Sequence, residues 1–337
     1  MALRIEQNYS LLSHNTFGLD LRARWYAEYH SLEELRMLLR DEYFHELPWV
    51  HIGEGSNLLF LDDYPGLILR SKMTELRLVS EDEIGVIVEV DSGMVWDELV
   101  AHAVDRGWYG IENLSYIPGS VGGAAVQNVG AYGVEVGGLI EAVHVIDSQT
   151  GEERWVDAEA CGYSYRMSYF KKPESAHLIV LAVRLRLSKR EAFKLDYGAI
   201  REMLGDQAPT LPRLREVIIA IRQSKLPEPA EVGSAGSFFK NPVVPHEVYE
   251  RLIKESPGMP SYAALAAGRK LSAAWLIDQC GWKGVREGAV GTWHLQPLVV
   301  VHYGSATGDQ IASFAAKIVA SVQARFGVTL EPEVRYI

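Results

Sequence analysis

The chain has 337 residues, 48% hydrophobic and 23% charged, with a formal net charge of −11. That length supports two or three domains with cores of their own, and the composition excludes a disordered or membrane-spanning chain. The negative charge argues against nucleic acid or an anionic membrane as the main partner, so a small anionic ligand needs its own cluster of cations. Cys161 and Cys280 lie far apart in no CxxC and no HExxH occurs, so neither a disulfide framework nor a metal site is expected. The opening residues lack the basic-then-apolar pattern of a signal peptide, which leads to the expectation of a cytoplasmic protein.

Residues 31–40, SLEELRMLLR, open with Ser31 and Glu34 at capping-box spacing and place Leu32, Leu35, Leu38 and Leu39 on one face, predicting a surface helix. Over 48–61 an apolar run, the turn GEGSN (Gly53 to Asn57) and a second apolar stretch follow each other. Residues 84–90 suit a buried strand. Residues 92–106 suit a helix with Trp96, Leu99, Val100, Ala103 and Val104 inward and Gly107 just past its end.

The stretch 117–138, IPGSVGGAAVQNVGAYGVEVGG, carries seven glycines, and no Lys or Arg occurs from Gly107 through Glu153. Glycine permits positive φ and leaves N–H groups bare, so this run can form a concave nest of neutral donors for phosphate oxygens. No GxGxxG opens a βαβ unit and no GK[ST] follows, so neither a Rossmann nor a P-loop site is indicated. Without a ligand, the same run reads as two tight turns joined by a short helix.

Residues 139–147, a Ser-Gln-Thr-Gly turn and Arg154 to Val156 predict a hairpin, and 177–187 a strand. Strands and helices alternate with hairpins mixed in, which predicts an α+β domain ending near Lys189. The second half predicts helices at 213–224 (Leu214, Val217, Ile218 and Ile221 inward), 246–255, 270–280 and 308–326, with Gly281 and Gly327 behind the last two. Strands are predicted at 297–303 and 328–336.

Arg166 in YSYRMSYFKK, Arg222 and Lys225 before KLPEP, Lys240 beside Asn241, and Arg335 place cations in segments unlike solvated helix faces. In an extended LEPEVRYI, residues two apart share a face, so Glu331, Glu333 and Arg335 project together. They suit a structural ion pair, or the flanks of a carboxylate substrate.

GEGSNLLF, IPGSVGGAAVQNVGAYGVE, YSYRMSYFK, KLPEPAEVGSAGSFFKNPVV, KLSAAWLIDQCGWKG and LEPEVR, in this order and spacing, closely resemble the UDP-N-acetylenolpyruvoylglucosamine reductase (MurB) family of bacterial peptidoglycan synthesis. The resemblance runs from Asn15 to the last residue. It implies an α+β flavoenzyme. Residues 15–189 would form an FAD-binding domain of the vanillyl-alcohol-oxidase (PCMH) type, made of two α+β subdomains at about 15–75 and 76–189, and 190–337 an α+β substrate-binding domain. The FAD would be non-covalent, because GEGSN lacks the histidine by which many oxidases of that superfamily attach it. The residues implied to hold it are Gly53, Glu54, Gly55, Ser56 and Asn57 in the first loop. In the second they are Ile117, Pro118, Gly119, Ser120, Gly122, Gly123, Gln127, Asn128, Gly130, Ala131, Tyr132 and Gly133.

The implied reaction carries hydride from NADPH, by way of FAD, to C3 of the enolpyruvyl ether of UDP-N-acetylglucosamine enolpyruvate. C2 takes a proton, and the product is UDP-N-acetylmuramate. By the resemblance, Arg166 meets the charge developing on the substrate carboxylate, Glu333 stands on the same carboxylate side, and Ser237 donates the proton to C2, with Ser234 as a nearby decoy. Donors aimed at a developing enolate lower the barrier, and such a base takes a proton from a serine hydroxyl within hydrogen-bond reach. Tyr197, Lys225 and Asn241 match positions that bind the UDP diphosphate, Gln296 matches another substrate contact, and Tyr165, Arg222 and Arg335 are grouped with them. Tyr197 belongs to the longer, Tyr-loop version of the family, which implies a lid. The expected partners are the enolpyruvyl substrate and NADPH, with no nucleic acid, membrane or metal, and a monomeric state. Two rival readings are a flavin oxidase of the same fold, opposed by the C-terminal motifs, and a nucleotide-sugar binding protein without catalysis.

Overall fold

The computed structural model describes residues 3–206, 208–263 and 268–337. The first half runs β1 (Arg4–Ser10), β2 (Arg22–Tyr29), α1 (Leu32–Arg40), the short α2 (Glu42–His45), β3 (Trp49–Ile52), β4 (Leu58–Leu59), β5 (Tyr64–Ser71), β6 (Leu76–Glu81) and β7 (Gly85–Asp91). It continues with α3 (Trp96–Asp105), α4 (Val121–Gln127), β8 (Gly130–Ala131), β9 (Val134–Glu135), β10 (Ile140–Asp147), β11 (Glu153–Asp157) and β12 (Leu178–Ser188). Then come α5 (Gly198–Leu204), α6 (Leu211–Lys225), β13 (Gly233–Ser237), β14 (Val243–Pro245), α7 (His246–Glu255), β15 (Ser261–Ala263) and β16 (Gly268–Leu271). The last elements are α8 (Ala273–Gln279), β17 (Arg286–Glu287), β18 (Val290–Thr292), β19 (Val299–His302), α9 (Gly308–Phe326) and β20 (Arg335–Tyr336). The chain divides into two units: Met1–Tyr9, Arg22–Gly55 and Tyr64–Arg222 in the first, and Ser10–Leu21, Ser56–Asp63 and Gln223–Ile337 in the second.

The first unit holds two main sheets. In the order β1-β2-β5-β3 the pairs β2·β5 and β3·β5 are parallel, whereas β11-β10-β12-β7-β6 is antiparallel throughout. Val86, Val88 and Val90 alternate onto one face of β7 and pack with Trp96, Leu99, Val100 and Ala103 of α3. Burial in β12 is continuous from Ile179 to Val183 because both faces are covered: Val180 and Val183 join the α3 core, and Ile179 and Leu181 join Leu35 and Leu38 of α1. A third cluster gathers Ile200 and Leu204 of α5 with Leu214, Val217, Ile218 and Ile221 of α6.

At α1, Ser31 Oγ accepts the Glu34 N–H at 3.2 Å, but the Glu34 carboxylate reaches the N–H of His30 (2.7 Å), one residue beyond the capping-box partner. The helix predicted from 92 begins at Trp96. Val95 is extended, with ψ 130°, and bridges Ser120, so Ser92 to Met94 stay outside it.

The second unit contains the antiparallel sheets β13-β19-β18-β17 and β14-β16-β15 and the parallel pair β20·β4. Phe238, Phe239, Leu276, Ile277, Ile311, Phe314 and Ile318 build its core. Helices α7 and α9 have the predicted spans, and α9 carries a full capping box at Thr307 and left-handed Gly327 at its end. The helix predicted from 270 starts instead at Ala273, because Lys270 and Leu271 pair in β16 and Ser272 forms the cap.

The predicted strand 328–336 shrinks to Arg335–Tyr336. Pro332 has no N–H to donate and makes only an isolated bridge to Phe239, and the chain bends at Glu333 and Val334. The shared face of Glu331, Glu333 and Arg335 is therefore not formed; Glu331 lies 3.4 Å from Lys240. Among the described residues, no helix is long and apolar enough to cross a membrane.

Candidate active site

Two turns of the first unit come together because one residue has no side chain. A Cβ on Gly53 would stand 2.4 Å from Ser120 Oγ, the oxygen that caps α4 by accepting the Gly123 N–H at 3.2 Å. Gly119 has φ +129°, a backbone that other residues rarely adopt. The N–H groups of Glu54, Gly55, Gly119 and Ser120 donate to no protein acceptor among the described residues. This is a set of neutral backbone donors without a nearby Lys or Arg in the sequence, and its chemistry fits the diphosphate of FAD. Glu54 itself is tied to Arg70, which also lies 3.6 Å from Glu28.

Other residues expected at the cofactor have visible packing duties. A Cβ on Gly122 would come within 2.7 Å of Ser92 Cβ. Gln127 Oε1 accepts from Lys171 Nζ at 2.7 Å. Asn128, in the left-handed cap of α4, donates to Ser164 O at 2.7 Å and accepts from Gly137 N at 2.9 Å. Ala131 ends β8, paired with Val134, and Tyr132 and Gly133 form the turn of the β8–β9 hairpin at φ 48° and φ 81°. Ile117 is half-buried and Pro118 is exposed. Ser56 and Asn57 belong to the second unit, where Asn57 Nδ2 donates to Glu333 O at 3.1 Å and Asn57 O accepts from Arg335 N at 3.0 Å.

Arg166 is held in a left-handed conformation, φ 53°, which costs a non-glycine residue about 1 to 3 kcal/mol. Its Nη2 donates to Gly130 O at 2.6 Å, its Nη1 lies 3.9 Å from Glu135, and the guanidinium sits 5.4 Å from the Tyr165 ring centre. A Cβ on Gly130 would stand 2.9 Å from Arg166 Nη1, so the glycine makes room for this side chain. Tyr197 is 46% exposed at the start of α5 and meets the Tyr132 ring edge-on at 5.5 Å. Arg222 Nε donates to Tyr116 O at 2.9 Å, and burial lowers its guanidinium from its ordinary value.

In the second unit the two serines separate clearly. Ser234 is 3% exposed. Ser237 is exposed: the β13·β19 register shifts between them, and Gly236 at φ 67° turns the chain. Glu333 N–H donates to Phe238 O at 2.8 Å, which ties the glutamate to the residue after Ser237. Asn241 Oδ1 accepts the Ala273 N–H (2.9 Å) at the start of α8. Gln296 is half-buried, and Lys225 and Arg335 are exposed.

Two residues escaped the sequence reading. Asp97 accepts the Tyr116 N–H and forms a two-point ion pair with Arg215. The available signal was the spacing of Arg215 and Arg222, seven apart and so on one helix face.

Residues 228–337 match the family model for the UDP-N-acetylenolpyruvoylglucosamine reductase C-terminal domain, and 23–157 match that for an FAD binding domain. The chain is 49% identical to the UDP-N-acetylenolpyruvoylglucosamine reductase of Bacteroides fragilis (strain YCH46), covering 99% of this chain and 100% of the relative. It is 48% identical to that of Porphyromonas gingivalis (strain ATCC 33277), with 99% of each covered. The crystal structure of MurB from Thermus caldophilus superimposes with a TM-score of 0.68 at 27% identity, covering 99% of both chains. A solvent-stable cholesterol oxidase, 11% identical, shares the fold at a TM-score of 0.51 over 98% of this chain and 87% of the oxidase. With full-length relatives at this identity and both family models matched, the chain belongs to the UDP-N-acetylenolpyruvoylglucosamine reductase family.

Proposed function

We propose that this protein catalyses the NADPH-dependent reduction of UDP-N-acetylglucosamine enolpyruvate to UDP-N-acetylmuramate, with non-covalent FAD, in peptidoglycan precursor synthesis. The observation that carries the reading is the second-unit arrangement in which exposed Ser237 sits beside the residue whose carbonyl holds Glu333. Bound FAD supplies the hydride relay from NADPH to C3 of the enolpyruvyl ether. The N–H groups of Glu54, Gly55, Gly119 and Ser120 receive its diphosphate. Ser237 gives its hydroxyl proton to C2, so the double bond gains one hydride and one proton, and the serine recovers its proton from solvent. Arg166 opposes the charge pushed onto the substrate carboxylate, and Glu333 acts on the same carboxylate side.

Tyr197, Lys225 and Asn241 hold the UDP diphosphate, with Tyr165, Arg222, Gln296 and Arg335 as further substrate contacts. Their cations answer the need set by a net charge of −11. The Tyr197 segment serves as a lid. In functional terms 15–189 is the cofactor domain and 190–337 the substrate domain. The protein works in the cytoplasm as a monomer, without nucleic-acid or membrane partners, and feeds the wall synthesis on which cell shape and division depend.

Isotope placement tests this reading. Turnover in D2O places one deuterium at C2 of the product, and turnover with NADPH deuterated at the transferred position places one at C3. Absence of the reduced product, or oxygen consumption in its place, overturns it in favour of the oxidase.

A further inference from the structure

Helix α6 reaches the glycine-rich turn through two arginines. Arg215 Nη1 and Nη2 each lie 2.7 Å from a different oxygen of Asp97. Asp97 Oδ1 also accepts the Tyr116 N–H at 2.5 Å, while Arg222 Nε donates to Tyr116 O at 2.9 Å. Both backbone polar groups of Tyr116 are thereby held, and Tyr116 sits at φ 58°. A non-glycine residue stays in that region only when its surroundings over-determine it. Tyr116 directly precedes Ile117 to Ser120, so its conformation sets the direction in which that turn leaves. The ion pair suits such a brace in two respects. Side-chain exposures of 17% and 27% remove it from full solvent screening, and two-point guanidinium–carboxylate geometry fixes direction as well as distance.

We infer that Asp97 and Arg215 are positioning residues that hold the Gly119 and Ser120 N–H groups in the orientation that receives the FAD diphosphate. The inference rests on the proposed placement of FAD at this turn.

The test reads the diphosphate itself. FAD-loaded protein is examined by phosphorus NMR, and apoprotein is titrated with FAD by flavin fluorescence. Arg215→Met and Asp97→Asn each weaken FAD binding about ten-fold and shift the diphosphate resonances of the bound cofactor. Arg215→Lys keeps the charge without the planar fork and fails to restore the wild-type resonances. Arg213→Met, at a half-exposed position on the same helix that pairs, among the described residues, only with Glu216, changes neither readout. A pair that only stabilised the fold would lower the apoprotein melting temperature and leave the bound resonances in place, and that result overturns the inference. Gly119→Ala separates the two levels of the claim. If it moves the resonances while the Asp97 and Arg215 variants do not, the positioning role falls alone; if it too leaves them unmoved, the FAD placement falls with it. Should Arg215→Met not fold, the isosteric Asp97→Asn decides by the same two readouts.

Discussion

Ser237 and Glu333 are linked through one peptide: the N–H of Glu333 donates 2.8 Å to the carbonyl of Phe238, the residue that follows Ser237. Displacement of either segment therefore drags the other. The same pairing continues through the Phe239–Pro332 bridge and the Lys240 N–H to Glu331 O bond (2.9 Å), so the proposed proton donor and carboxylate share one backbone frame.

The two serines of GSAGS differ in kind, and their variants should as well. Ser237→Ala is expected to cut turnover by about 10²- to 10⁴-fold, the usual worth of a positioned proton donor, without changing thermal stability. Ser234→Ala, at a position 3% exposed, is expected to keep near-wild-type turnover. Steady-state rates and melting curves of both variants check this.

Gly53→Ala should act through Ser120. The new methyl would stand 2.4 Å from Ser120 Oγ and force it off the Gly123 N–H. Loss of such a cap costs about 1 kcal/mol, and the displaced turn should also bind FAD more weakly. Denaturant unfolding of the apoprotein and a fluorescence titration with FAD measure the two effects separately.

Gly233→Ala should damage the second unit far more. Its Cβ would lie 1.9 Å from Phe17 O, a backbone atom that cannot swing aside, at the start of the strand ending in Ser237. A loss of about 3 kcal/mol or more is expected. Gly138→Ala, with nothing within 4 Å, should stay within about 0.5 kcal/mol of wild type. Chemical denaturation of both variants provides the comparison.

Acid should loosen the 116–120 turn through Asp97. Burial pushes this carboxyl up, but the Arg215 guanidinium and the Tyr116 N–H outweigh it and hold Asp97 below its ordinary value. Its contribution is thus fully present above roughly pH 4 and is lost as the pH falls through the lowered folded value. Melting temperature measured from about pH 6 down to about pH 2 should show a shallower acid limb in Asp97→Asn than in wild type.

The parts of the fold legible in the sequence were those set by local pattern. Helices α7 and α9 and the α3 core positions follow from apolar spacing, and the end of α9 from Gly327. Where partners distant in sequence claim the backbone, the pattern misled. Ser92 and Gly93 look helical, but extended Val95, bridged to Ser120, stops the helix short of them; Lys270 and Leu271 look helical but pair in β16. LEPEVR looks like an alternating strand, yet Pro332 and the bend after it break the alternation. The neutral donor turns were readable because glycine is their physical cause. Their brace was not, because Asp97 and Arg215 lie 118 residues apart and each alone resembles an ordinary surface charge.

Anaerobic absorbance separates the two half-reactions: wild type and Ser237→Ala are each treated with NADPH and then with UDP-N-acetylglucosamine enolpyruvate. The flavin bands should bleach with NADPH in both proteins and return with the enolpyruvyl substrate at full rate only in wild type. Bands that return equally fast in Ser237→Ala would contradict the proton-donor assignment, and wild-type bands that return with oxygen but not with the substrate would contradict the reductase itself.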